Sequence, residues 1–314
     1  MKNKKQSGKI RVLVLGGLGF VGRYLCRGLN DSGTIVYALG HGTIPQSEID
    51  VWGIRHWVDS KISLDVLVEH FKNIQFDAII HCAGSGAVSL AYQQPLEDYH
   101  RSVTSVLAGL EFVRTTQTKE TRFVLASSAA VYGNQNTELT ENSTLKPISP
   151  YGLHKQAAEN ICAEYSQYFG VKSSLVRLFS VYGAGLQKQL LWEAANKFKI
   201  ANCSFFGTGN EKRDWIHVED AARLLSEAAL KDQSDFEIYN GCNYQASTSE
   251  VLTVLAKSMR IDLTPRFNNE EHIGNPKILI GNNEKAVKLL NWIPAISLQD
   301  GLASYAQWLN DKGL

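Results

Sequence analysis

Short apolar runs recur along the first part of the chain. Those at 10–15, 34–39, 77–81, 122–126 and 174–179 are each closed by glycine or a small residue. They have the length and near-continuous apolarity of strands buried on both faces. Between them lie stretches whose apolar residues return every three or four positions, notably 23–29, 95–116 and 150–169, which the spacing predicts to be helices. This alternation predicts a doubly wound parallel sheet of α/β class. Beyond about residue 180 the rhythm loosens. Brief strands at 203–206 and 277–280 are expected among helices at 187–200, 217–230, 247–259 and 297–311, a smaller C-terminal α/β domain suited to substrate selection. The expected division is 8–180 with about 214–241 for the first domain, about 181–213 with 242–314 for the second, and 1–7 as a disordered tail.

Composition narrows the classes of function. The formal net charge is +1, with no block of like charge after the first residues, which argues against nucleic acid as a partner. The apolar run that follows the basic start is too short for a signal segment or a membrane span, so no membrane partner is expected. Cys26, Cys82, Cys162, Cys203 and Cys242 are scattered without metal-like spacing. They read as small buried residues of a cytoplasmic protein, and no metal is expected.

The first strand runs directly into Gly16-Gly17-Leu18-Gly19-Phe20-Val21-Gly22 and then into a helix. Glycines at 16, 19 and 22 let the backbone turn tightly and approach a pyrophosphate, which the positive end of the following helix attracts. The second strand ends in Gly40-His41-Gly42, where NAD sites normally place an acid for the ribose hydroxyl. Without that acid a 2′-phosphate is not repelled, and His41 is placed to donate to one, so Gly40 and His41 tilt the cofactor from NAD towards NADP. After the third of these strands, Cys82-Ala83-Gly84 is small enough to pass under a dinucleotide.

Tyr151 and Lys155 stand four residues apart just after Pro150, which on a helix puts them on one face a turn apart. An ammonium close to a phenol favours its phenolate, so the pair reads as a proton-transfer device.

With the glycine loop, Ser127-Ser128-Ala129-Ala130-Val131-Tyr132-Gly133 and Tyr151/Lys155 in this order, the chain resembles the extended short-chain dehydrogenase/reductases, in their nucleotide-sugar epimerase and reductase branch. The likeness extends through 176–183, Gly207-Thr208-Gly209, Arg213-Asp214-Trp215-Ile216-His217 and Leu290-Asn291-Trp292-Ile293-Pro294. It implies a Rossmann-type fold with a smaller substrate-binding domain. It also implies a catalytic trio of Ser128, Tyr151 and Lys155, with cofactor contact along Gly16, Gly19, Phe20, Val21 and Gly22, at Ala83 and Gly84, and by Tyr151 and Lys155. Arg213 is implied as a diphosphate ligand, and Phe206 as either a base contact or a core phenylalanine. Ser180 and His272 stand near positions where other residue types usually meet substrate phosphates, and Ser102 replaces a frequent asparagine.

Family members that remove water or carbon dioxide carry acids directly after the active-site hydroxyl, because that chemistry needs a carboxylate. Ala129 and Ala130 argue against both reactions. The expected reaction is NAD(P)-dependent hydride transfer at C4 of a nucleoside-diphosphate sugar. A 4-keto-6-deoxyhexose reductase is preferred on the Gly40-His41 lean, and a UDP-hexose 4-epimerase with tightly held NAD is the alternative. A dinucleotide-binding regulator without catalysis is the remote third reading, and helices 95–116 and 150–169 resemble those that pair in a homodimer of this family.

Overall fold

The computed structural model describes residues 8–86, 88–232, 234–270 and 276–313. Both the 1–7 tail and His272 lie outside the described residues. In chain order come β1 (Arg11–Leu15), α1 (Phe20–Asp31), β2 (Ile35–Gly40), α2 (Gln46–Val51), β3 (Ile54–Asp59), α3 (Leu64–Phe71) and β4 (Ala78–His81). Then follow α4 (Val88–Gln93), α5 (Pro95–Tyr99), α6 (Ser105–Thr116), β5 (Arg122–Ser128), α7 (Pro150–Phe169), β6 (Ser173–Leu178) and β7 (Ser180–Tyr182). The remainder is α8 (Gln189–Lys199), β8 (Ser204–Phe205), β9 (Lys212–His217), α9 (Val218–Leu230), β10 (Phe236–Gly241), β11 (Tyr244–Ser247), α10 (Thr248–Ser258), β12 (Arg266–Phe267), β13 (Ile278–Leu279), α11 (Glu284–Leu290) and α12 (Leu298–Asp311).

Among the described residues, seven strands make one parallel sheet in the order β10-β6-β5-β4-β1-β2-β3. The α/β Rossmann-type class read from the alternation is the observed one. Val12, Val14 and Ile80 pack on one face of the sheet with Leu25 and Leu29 of α1. Leu13, Leu15 and Ile79 pack on the other with Leu110 of α6 and Cys162 of α7. Covered on both sides, these strands can be apolar at every position. The strand order reverses between β1 and β4, and the crevice outside the carboxyl ends at such a reversal is where open sheets bind ligands.

β3 and β10, the two edge strands, are not singled out by the hydrophobic pattern, because edge positions such as Arg55, His56 and Glu237 stay polar or exposed. The helix expected over 95–116 is also interrupted, by a π-helical turn at His100–Thr104. There the Ser105 N–H bonds to the His100 carbonyl, and the Ser105 hydroxyl takes the Arg101 carbonyl at 2.7 Å. A side-chain donor thus replaces the backbone donor that the wider turn withdraws.

The smaller C-terminal α/β region is built on β11, β9 and β13, with β7 paired to β9. Its own core gathers Leu191 of α8, Leu255 of α10, and Leu302 and Tyr305 of α12. Among the described residues no helix is long and apolar enough to cross a membrane.

Candidate active site

One cleft of about 1160 Å³ opens at the carboxyl ends of β1, β4, β5 and β6. Its floor is the glycine loop. Gly16 has φ +86°, and a methyl there would sit 2.7 Å from the Ala83 nitrogen, so the turns after β1 and β4 touch at the sheet's reversal point. A methyl on Gly22 would lie 2.1 Å from the Gly16 carbonyl oxygen. The loop is therefore a backbone cradle that side chains would fill, and it ends on the first turn of α1, where Gly19 is the N-cap. Such a cradle fits a dinucleotide pyrophosphate.

Gly19, Phe20, Val21, Ala83 and Gly84 line the cleft, whereas Gly16, Gly22, Gly40 and His41 do not. Gly40 is a packing residue: a methyl on it would lie 3.2 Å from the Trp57 ring and 3.4 Å from the Gly16 Cα. His41 is exposed, beyond the end of β2. A carboxylate does reach the loop after β2, from the neighbouring strand, although it does not line the cleft. Asp59, the last residue of β3, pairs with Gly40 and accepts from the Gly42 N–H at 3.0 Å and the Thr43 hydroxyl at 2.7 Å. Those two bonds, the Thr43 one first, hold its carboxyl below the usual range.

α7 begins where Ser149 caps it, accepting from the Gly152 N–H at 3.2 Å, with Pro150 preset for the first turn. Gly152 lets the helix come close: a methyl there would lie 2.6 Å from the Ala130 carbonyl oxygen, in the short 3₁₀ turn Ala129–Val131 that follows β5. Tyr151 and Ser128 are thus brought together at the cleft wall. Ser128 also accepts from the Ala130 N–H at 3.2 Å. Tyr151, Lys155 and Ser128 all line the cleft.

The electrostatics differ from the simple expectation. Lys155 is buried, donates to the Ala126 carbonyl at 3.0 Å, and lies 6.0 Å from the Tyr151 ring centre. Burial outweighs every other influence on Tyr151 and pushes its phenol up to about 12, although the Ser128 hydroxyl works the other way. Burial also lowers Lys155, with Asp98 first among the groups opposing it. In this protein alone the phenol is the stable form, because a desolvated anion costs more than a turn-distant ammonium returns.

Further residues complete the site beyond those the sequence motifs name. Asp98, fully buried on α5, accepts from His154 at 2.5 Å and from the Ser85 hydroxyl. Glu159, one turn beyond Lys155, accepts from Ser127 at 2.5 Å and from Arg177 at 2.8 Å, clamping the end of β5 to α7. Glu159 has a local signal, the same four-residue helical step that links Tyr151 to Lys155. Asp59 and Asp98 have none, since only the topology delivers them.

The other wall comes from the C-terminal region. Ser180, Phe206 and Arg213 line the cleft, and Phe206 is 49% exposed, which sets aside the core-phenylalanine alternative. Arg213 donates to the carbonyls of Lys212 at 2.8 Å and Lys277 at 3.5 Å, and burial brings its guanidinium down to about 10. Lys212 and Lys277 line the same wall, which is therefore cationic.

The geometry has counterparts among known proteins. The uncharacterized UDP-glucose epimerase YtcB of Bacillus subtilis (strain 168) is 26% identical over 96% of this chain and 98% of its own length. The UDP-glucose 4-epimerase of Lactobacillus helveticus is 28% identical over 95% of this chain and 97% of its own. The same fold is seen in the UDP-glucuronic acid 4-epimerase of Bacillus cereus, solved with UDP-glucuronic acid and NAD. Its TM-score is 0.84 at 24% identity, covering 96% of this chain and 100% of that one. A profile of the NAD dependent epimerase/dehydratase family matches residues 12–241, from the first sheet strand through the glycine loop and Tyr151/Lys155 to the last sheet strand, and the chain belongs to that family.

Proposed function

We propose that this chain is an NAD-dependent nucleotide-sugar 4-epimerase acting on UDP-hexoses. The observation that carries the reading is that Tyr151 and Ser128 stand together at the cleft wall, with Lys155 behind them and no carboxylate at Ala129 or Ala130. In this reading Tyr151 takes the proton of the C4 hydroxyl and later returns one, while Ser128 hydrogen-bonds the same oxygen as it gains and loses carbonyl character. Lys155 holds a positive charge below them. When bound, NAD supplies the acceptor for the C4 hydride. The glycine loop, Ala83, Gly84 and Lys155 would hold that cofactor, and Arg213 with Lys212 and Lys277 the substrate diphosphate.

The preference for a reductase rested on the missing acid beside Gly40. Asp59 supplies a carboxylate to the same loop, which supports NAD over NADP, since an ionised acid there repels a 2′-phosphate. Relatives named as 4-epimerases support the same choice.

The division of labour follows the two regions. Residues 8–180 with about 214–241 would bind the dinucleotide, and about 181–213 with 242–314 would select the sugar nucleotide. Leu107 on α6, with Leu153 and Phe169 on α7, leaves apolar surface exposed, which supports pairing with a second copy, checked by light scattering.

The test is proton NMR of UDP-glucose and of UDP-glucuronate incubated with protein and NAD. The 4-epimer should appear with wild type and fall by orders of magnitude with Tyr151→Phe, with NAD affinity kept. Absence of epimer, together with NADPH consumption on a 4-keto-6-deoxy sugar nucleotide, would return the assignment to the reductase.

A further inference from the structure

Lys188 has no role in the reaction as described so far, yet it lines the same cleft as Tyr151 and Ser128. It immediately precedes α8 and crosses to the loop after β4, donating to the Ser85 carbonyl at 3.1 Å. Gln189 makes the parallel crossing, from its side-chain amide to the Gly86 carbonyl at 2.8 Å. Gln189 does so with φ at 64°, a left-handed conformation that a residue with a side chain adopts only under constraint. The start of α8 is thus held against this loop by two side chains and a strained backbone.

The loop fixes where the ammonium lies. A methyl on Gly86 would sit 2.7 Å from Lys188 Nζ, and a methyl on Gly84 would sit 3.4 Å from Lys155 Nζ. Only Ser85 lies between those glycines, so their Cα atoms are at most ~7 Å apart. Lys188 and Lys155 thus reach the same short loop after β4, on the wall of the cleft that also carries Tyr151. Arg213, Lys212 and Lys277 belong to β9 and the segment leading into β13, the C-terminal wall.

An ammonium carries three donors, and one recorded bond to a carbonyl leaves capacity for more. Lys188 is open to the cleft, and the cleft walls still desolvate it enough to lower its pKa, with no carboxylate among the influences on it. A cation placed this way favours an anionic group arriving with the ligand. In a hexose whose C4 faces Tyr151, only C5 separates C4 from the C6 substituent, so a C6 carboxylate would reach the same wall of the cleft.

Resting on the 4-epimerase reading above, we propose that Lys188 is a specificity-determining residue that takes the C6 carboxylate of a UDP-hexuronate, so that acidic sugar nucleotides are preferred over neutral ones. The diphosphate offers the same anionic chemistry, and the comparison of substrates separates the two sources.

The experiment measures binding of UDP-glucuronate and UDP-glucose to the NAD-loaded protein by calorimetry, and epimerisation of both, for wild type and Lys188→Gln. Glutamine keeps a donor for the Ser85 carbonyl and removes the charge. Expected is tighter binding of UDP-glucuronate by wild type, and a loss of about ten- to hundredfold for that ligand alone in Lys188→Gln, the scale of one charge-assisted hydrogen bond. Lys188→Arg should restore part of the preference. Equal losses for both ligands would assign Lys188 to the diphosphate or to loop clamping, and would overturn the proposal, as would equal affinity in wild type or no binding of either. If neither sugar is epimerised while the selective binding loss is seen, the reaction assignment fails and the carboxylate site stands.

Discussion

His154 donates through Nδ1 to the buried Asp98 carboxylate at 2.5 Å, and His154 is the residue immediately before Lys155. Asp98 raises the pKa of both Tyr151 and Lys155, holding the phenol protonated and the ammonium charged. Asp98→Asn removes the negative charge and keeps the shape, so the Tyr151 phenolate becomes easier to form. If Tyr151 is the group deprotonated for turnover, as proposed above, the acid limb should move to lower pH in this variant. Lowered turnover at every pH with an unmoved limb would mean that Asp98 acts through packing alone.

Gly22→Ala should be among the most damaging small substitutions in the chain. Its methyl would meet the Gly16 carbonyl at 2.1 Å, backbone against backbone, and the loop has to open to admit it. Overpacking of this kind costs ~1–3 kcal/mol, and here it would distort the pyrophosphate cradle, so NAD affinity should fall at least tenfold. Gly28→Ala, also on α1 but with nothing within 4 Å of the added methyl, is the control and should be neutral or stabilising. Fluorescence titration with NADH and a thermal melt check both.

Asp59→Asn should raise NADP affinity severalfold relative to NAD, by removing an ionised carboxylate tied to Gly42 and Thr43 beside the end of β2. Parallel titrations with the two dinucleotides measure the ratio. An unchanged ratio would show that Asp59 only shapes the loop.

Burial raises the Asp214 carboxyl to about 6, despite bonds from the Asn243 N–H at 2.6 Å and the Gly281 N–H at 3.3 Å. A folded-state pKa above the unfolded one contributes stability that is complete below about pH 4 and is lost as pH rises through about 6. About two pKa units correspond to ~3 kcal/mol. The stability of Asp214→Asn relative to wild type should therefore climb by about that amount between pH 4 and pH 6, read from urea unfolding. A difference independent of pH would contradict the assignment.

What the sequence disclosed is what neighbours in the chain determine. The glycine loop between β1 and α1, and the single helical turn from Tyr151 to Lys155, are local patterns that fold as read. Their mutual environment is not local. The phenol's pKa in the protein alone is governed by burial between α7 and the turn after β5, which no spacing reports. Asp59 reaches the Gly40 loop only because β3 lies beside β2 in the sheet, and Lys188 reaches Gly86 across 102 residues of sequence, the difference between 188 and 86. The π-turn at 100–104 escaped because a serine such as Ser105, whose hydroxyl stabilises it, carries no periodic signal in the sequence.

On the proposed reading the hydride leaves and returns at C4 while Tyr151 takes and returns the proton of the C4 oxygen. The most direct measurement uses UDP-hexose deuterated at C4, incubated with protein and NAD, with product analysed by NMR and mass spectrometry. Retention of the deuterium at C4 of the epimer, with no accumulation of reduced dinucleotide, is the predicted result. Washout of the label into solvent, or its stoichiometric appearance on released dinucleotide, would contradict the account.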